Sequence, residues 1–196
     1  MSNRCLHVNA TKSQTKKPRQ ISGLFLSKLC LICPMHLSFR KATSEDIPLI
    51  NELAQKIWRE HYPAIISIEQ IDFMLLNRYS KRAIEESMQR GEQYYLAYAN
   101  NEPVAYAGIE SKDSFSYLHK FYVDVSNHRH GIGRQFFDYL LHQNESAKLI
   151  KLQVNRSNYK AINFYFKNGF VIETTGDFDI GGGYFMNDFV MVRQAL

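Results

Sequence analysis

The chain has 196 residues, 45% of them hydrophobic and 13% aromatic, which is enough apolar material for one substantial core in a single domain with an appendage. It contains no run of about 18 uncharged apolar residues, which argues against a transmembrane helix. The formal charge of +5 admits a nucleic-acid or membrane partner only until its location is considered.

Residues 1–34 hold Arg4, Lys12, Lys16, Lys17, Arg19 and Lys28 and no acidic residue, a net of +6. The 24 Lys and Arg less those six leave 18 in the remaining 162 positions, against 19 Asp and Glu, a net of −1. A nearly neutral body without a basic stripe gives nucleic-acid binding little support. Cys5, Cys30 and Cys33 are the three cysteines and all lie in the first segment, so the body has no disulfide, cysteine nucleophile or thiolate metal site. Residues 1–34 read as a basic, disordered extension. The apolar stretch 21–33 is broken by Lys28 and followed by no small-residue cleavage site, which disfavours a secretory signal. A targeting peptide and a mis-assigned start at a natural Met35 remain open. The folded domain is expected over 35–196, and the extension is expected to be dispensable.

Residues His36–Ala42 alternate as a strand, and Thr43-Ser44-Glu45-Asp46 caps a helix carrying Ile47, Ile50, Leu53, Ala54 and Ile57 on one face. Pro63 ends it. Residues 68–90 are helical, in two pieces meeting near Tyr79–Ser80. Gln93–Ala99 and Pro103–Glu110 flank the turn dipeptide Asn100-Asn101 and form a hairpin. Ser114–Asp124 is a further strand. After Ser126-Asn127-His128-Arg129-His130-Gly131-Ile132-Gly133-Arg134 comes a helix with Phe136, Phe137, Leu140 and Leu141 on one face. Lys148–Val154 is a strand, Asn158–Asn168 a helix, and Phe170–Thr174 and Asp188–Arg193 are two short closing strands. Gly181-Gly182-Gly183 between them reads as a flexible hairpin tip. The order β-α-α-β-β-β-α-β-α-β-β is that of a mixed α+β domain.

The glycine-rich turn at 128–134 leads from a strand into a helix, whose first N–H groups have no intrahelical partners and lie at the positive end of the dipole. Such a start suits a phosphate. A Cβ at Gly131 or Gly133 would hold the anion off the backbone. The pattern matches neither the nucleoside-triphosphatase loop nor the dinucleotide fingerprint. A second segment follows on the next strand–helix–strand unit: Asn155-x-x-Asn158-x-x-Ala161-x-x-x-Tyr165-x-x-x-Gly169-Phe170. Together the two segments resemble the GNAT superfamily of acetyl-CoA-dependent N-acetyltransferases, over about residues 36–194. That family carries [Q/R]-x-x-G-x-[G/A] and then N-x-x-A-x-x-x-Y-x-x-x-G-F, the glycine stopping the helix. His128 stands here in place of the family's Gln or Arg.

The resemblance implies an α+β (mixed α/β) fold, a central, largely antiparallel twisted sheet of about six or seven strands flanked by about four helices. It implies acetyl-CoA as co-substrate and no metal. The backbone of Tyr122, Val123 and Asp124 would pair with the pantetheine arm, a bulge in that strand opening the slot. His128, through its N–H, and Arg129, His130, Gly131, Ile132, Gly133 and Arg134 would hold the pyrophosphate. Asn155 would complete the cofactor site, and Asn158 would bind the pantetheine or orient the thioester. Tyr165 would be the general acid: a phenol of pKa about 10 stays protonated near neutral pH and can protonate a thiolate leaving group of pKa about 8.5. The acceptor amine must lose a proton to Glu110, Tyr117, His119, Asp124 or water. Trp58, His61 and Tyr62 sit where family members build the acceptor pocket, although helix-end packing explains them as well.

A soluble, cytoplasmic enzyme acetylating a primary amine is expected, and the chain's general look is similar to bacterial diamine and polyamine acetyltransferases. The alternatives are acetylation of a protein N-terminus or lysine, and a CoA-binding regulatory module without turnover. No nucleic acid or membrane is expected as partner, and a homodimer is left open.

Overall fold

The computed structural model describes residues 35–145 and 147–194. The basic extension, its cysteines and the question of the start at Met35 lie outside the described residues.

The first strand, β1 (Leu37–Lys41), carries Arg40, whose two guanidinium nitrogens each lie 2.7 Å from an Asp46 carboxylate oxygen. Asp46 also accepts from the Thr43 N–H, and this box starts a 3-10 turn (Ser44–Asp46) that leads into helix α1 (Ile47–His61). The apolar face of α1, with Ile50, Leu53, Ala54, Ile57 and Trp58, is buried. Helices α2 (Ile68–Arg78) and α3 (Lys81–Gln89) are separate, because the Ser80 Oγ accepts from the Ala83 N–H at 3.3 Å and caps a new helix. The described residues therefore contain five α-helices, with 68–90 in two pieces that meet at Tyr79–Ser80 as expected.

Strands β2 (Gln93–Ala99) and β3 (Glu102–Ser111) turn at Asn100 and Asn101, both at positive φ, as a tight hairpin requires. Then follow β4 (Ser116–Val123), α4 (Ile132–Gln143), β5 (Leu149–Asn155), α5 (Tyr159–Lys167), β6 (Val171–Gly181) and β7 (Tyr184–Gln194). The seven strands form one sheet in the order β1-β2-β3-β4-β5-β7-β6, antiparallel except for β4 with β5. Tyr95, Ala107, Leu152 and Met191 on one face pack with Phe136, Phe137 and Ile162 of α4 and α5. Leu96 and Tyr106 on the other face pack with Ile50, Ile57, Ile71 and Ile84 of α1, α2 and α3.

The last two strands are longer than expected. Strand β6 runs on past Thr174 to Gly181, and β7 begins at Tyr184 rather than Asp188. Gly176, Asp177 and Asp179 weaken the local strand signal. Pairing with β7 carries the strand through them, and Asp177 is met by Arg156 and by the Asn187 Nδ2. The glycine tip is docked on α2: the Phe73 ring lies tilted against that of Tyr184, centroids 5.1 Å apart, and a Cβ on Gly182 would lie 2.7 Å from the Phe73 ring.

Candidate active site

Between β3 and β4 the register slips, so that Gly108 faces Lys120 while Ile109 faces Leu118. His119 is the extra residue of this bulge, and the added twist turns β4 away from β5. Pairing of β4 with β5 stops at Leu118 and Leu152, leaving the edge of β4 from His119 onward unpaired on that side. The Asp124 N–H donates to the Val104 carbonyl at 2.8 Å, which makes Ala105 and Val123 a non-hydrogen-bonded pair. The N–H and C=O of Val123 therefore point into the gap. By the alternation of an antiparallel ladder those of Phe121 do so too, whereas those of Tyr122 bond to β3.

Of the backbone stretch Tyr122–Asp124, then, Val123 offers its N–H to a ligand, its carbonyl being met by the His128 ring, and Phe121 joins it. The two backbone groups of Asp124 are engaged internally, its carbonyl accepting from the Asn127 N–H at 2.9 Å. Its carboxylate pairs with Lys56 at 2.6 Å. Burial pushes that carboxyl up, but Lys56 and the Ser126 donors outweigh it and hold it below the ordinary value.

At one end of the gap lies the start of α4. Gly131 takes φ +77°, which a glycine adopts without strain. The first intrahelical bond is Gln135 N–H to Gly131 C=O at 3.1 Å, so the N–H groups of Ile132, Gly133 and Arg134 precede the ladder. Arg129, Arg134 and Lys160 line the cavity with them. His128 departs from expectation: its N–H donates to the Val125 carbonyl at 3.2 Å. Its ring bridges instead, Nε2 lying 2.8 Å from the Val123 carbonyl and Nδ1 against the Lys160 ammonium. The pair with Lys160 makes Nδ1 the acceptor and Nε2 the donor. His130 is exposed and does not line the cavity.

Asn155, Asn158 and Tyr165 converge on the same cavity, of about 570 Å³. The Asn158 Oδ1 caps α5 by accepting from the Ala161 N–H at 3.2 Å and lies 3.3 Å from the His61 Nε2. The Asn155 Oδ1 accepts from the Ser157 N–H at 2.9 Å. Tyr165 is 7% exposed, set edge-on to Phe164 and Phe170, and burial pushes its phenol well above the ordinary tyrosine value.

Beyond the gap the cavity is aromatic, lined by Trp58, Tyr62, Tyr79, Tyr117, Tyr122 and Phe178. The Tyr79 and Tyr122 hydroxyls are 2.8 Å apart, and Trp58 stacks on Tyr62 at 4.1 Å. Of the four proton acceptors considered, Tyr117 and His119 line the cavity and Glu110 and Asp124 do not. Glu110 holds the His119 Nε2 at 3.0 Å. Burial raises the Tyr117 phenol to about 12. Asp188 also lines the cavity, and sequence reasoning passed over it as the first residue of a strand. It alternates with Met186 and Val190 on one face of β7, so an acid on an apolar stripe was the available signal. Among the described residues no cluster of three metal-ligating side chains exists, and no helix is long and apolar enough to cross a membrane.

A strand edge with free polar groups, unpaired N–H groups behind a positive-φ glycine and three cations at one end suit an extended ligand with a phosphate at its tail. Residues 65–178, more than half of the chain, match a family model described as an acetyltransferase (GNAT) domain. The chain is 26% identical over 173 residues to a Spermidine N(1)-acetyltransferase of Thermoplasma acidophilum, with 82% of this chain and 98% of that one covered. It is similar in structure to the PaiA N-acetyltransferase of the same organism in complex with coenzyme A (TM-score 0.69, 23% identity, 82% of this chain and 99% of that one). It also resembles the ribosomal-protein-S18-alanine N-acetyltransferase of Escherichia coli (TM-score 0.64, 16% identity, 82% and 94% covered). At those identities the two structures attest the fold, and the family match carries the assignment: the chain belongs to the GNAT family of acetyl-CoA-dependent N-acetyltransferases.

Proposed function

We propose that the protein acetylates a primary amine of a small diamine or polyamine in the cytoplasm, without an acyl-enzyme. The observation that carries this reading is the aromatic chamber beyond the β4–β5 gap, which suits the alkyl chain and cationic groups of such an acceptor. The likeness to a protein named Spermidine N(1)-acetyltransferase points the same way.

Acetyl-CoA supplies the activated acetyl group, and this chain's residues bind it, orient it and move protons. The α4 N–H groups with Arg129, Arg134 and Lys160 hold the phosphates, and the Val123 and Phe121 edge holds the pantetheine arm. The Val123 N–H, pointing into the gap, is the donor for the carbonyl oxygen, where negative charge develops. Tyr165, kept protonated by burial, gives its proton to the departing sulfur. Asn158, fixed by its cap and by His61, positions the thioester end. His119 lines the cavity as the general base for the amine proton, and Glu110 orients it at 3.0 Å.

Thiol release from acetyl-CoA, measured with spermidine, spermine, putrescine and a peptide with a free N-terminus, tests the reading. Turnover is expected with the polyamines and putrescine, and Tyr165→Phe is expected to lower kcat by about 100-fold or more. Turnover with the peptide alone would transfer the assignment to protein acetylation. Binding of CoA with no turnover on any acceptor would leave a regulatory module.

A further inference from the structure

Among the described residues that line the cavity, Asp188 is the sole carboxylate. It is 3% exposed, and its Oδ1 is buried with no hydrogen-bond partner among the described residues. The cation that acts on it, Arg156, is itself committed to Asp177 and Thr175. The β5–β7 ladder uses the backbone of Asp188, opposite Asn155, and asks nothing of the side chain. A buried carboxylate without a partner costs folding free energy, so stability does not account for it.

Its surroundings match a positively charged guest. The Asp188 charge acts on the phenols of Tyr62 and Tyr117, so both rings lie within its field, and Met186 precedes it on the same face of β7. A carboxylate set among aromatic rings and a thioether is the chemistry that receives an alkylammonium group. The other charges in the cavity do not compete. Arg129, Arg134 and Lys160 belong to the phosphate end. Lys120 is neutralised by Glu92 at 2.6 Å, and neither it nor its neighbour Arg78 acts on Asp188.

We propose that Asp188 is the specificity-determining anchor of the acceptor site, where its carboxylate binds an ammonium group of the diamine or polyamine. This rests on the amine-acceptor reading above. The isosteric variant Asp188→Asn removes the charge and keeps the shape. With spermidine as acceptor, its KM for the amine is expected to rise about 10- to 100-fold, as for loss of a charge-assisted hydrogen bond. The KM for acetyl-CoA and kcat at saturating amine are expected to stay within about twofold of the wild type.

Spermidine binding to the CoA-loaded wild type and variant, measured by titration calorimetry, gives a readout that does not need turnover. Equal spermidine affinity and KM in wild type and variant overturn the anchor and leave the amine-acceptor reading standing. Asp188-dependent spermidine binding in a wild type that acetylates no amine overturns that reading and keeps the anchor. A parallel loss of acetyl-CoA affinity marks a structural role and overturns the anchor. Should Asp188→Asn fail to fold, the wild type is titrated with spermidine and with an uncharged diol of the same length. Equal affinity for the two then overturns it.

Discussion

Tyr165 shows how one side chain carries two readings that only its surroundings separate. Packed between Phe164 and Phe170 it is a core aromatic, and its place at the cavity wall supports the proposed role of the same phenol as proton donor. Burial, which raises its pKa, keeps the phenol protonated. His119 is the proposed counterpart on the acceptor side. Replacing it with Ala is expected to lower kcat about 10- to 100-fold while the KM for acetyl-CoA holds, checked by steady-state kinetics. Of the candidate residues, Asn158 and Tyr165 were legible because they fall in a segment that resembles a family motif. Asp188 was not, because an isolated acid in a strand gains meaning only when its neighbours across the sheet are known.

At the scale of elements, the turn into α4 and the bulge in β4 build the cofactor slot together. Gly131 holds a left-handed conformation that an L side chain adopts only at a cost of about 1 kcal/mol or more. Gly131→Ala is expected to raise the KM for acetyl-CoA about 5- to 10-fold and to leave the amine KM unchanged, a split visible in two-substrate kinetics. The G-x-G turn and the helix after it were readable from local pattern. A bulge in β4 was implied by family likeness, but its place at His119 was not, since a register slip is a relation between two strands. The same limit explains β6 and β7. Their acidic and glycine-rich stretch reads locally as loop, and it becomes strand because each half supplies the other's ladder. Which N–H groups face the slot was likewise a matter of pairing, which kept the expected role with Val123, withdrew it from Tyr122 and Asp124 and added Phe121.

At the scale of the molecule, two carboxylates titrate in opposite senses, so their stability contributions run opposite ways with pH. Hydrogen bonds from Arg40 chiefly, against some burial, hold the Asp46 carboxyl down to about 2 from an ordinary 3.8. Its contribution is therefore complete above pH 3.8 and is lost as the pH falls through about 2. Asp46→Asn is expected to lower Tm at neutral pH, with the gap narrowing in acid. Burial raises the Asp188 carboxyl to about 6, so that folding favours its protonated form. Its contribution is present below pH 3.8 and is lost as the pH rises through about 6. Asp188→Asn is then expected to raise Tm near pH 7.5 and to match the wild type near pH 4, both read by thermal melts across pH. A side chain that weakens the fold at working pH while strengthening substrate capture is the trade expected of a site residue.

The sequence by itself determined the existence of seven strands, the helix faces and the glycine-rich turn before α4, which rest on short-range periods and spacings along one chain. Its two motifs carried the resemblance to the family. It also located the +6 charge in residues 1–34, away from the nearly neutral domain. Tertiary structure alone decided that β4 and β5 part after Leu118, that His128 turns its ring onto the Val123 carbonyl, and that Asp188 stands unpaired among aromatic rings. Each is a relation between segments distant in sequence, set by strand register and packing, and no window along the chain contains both partners.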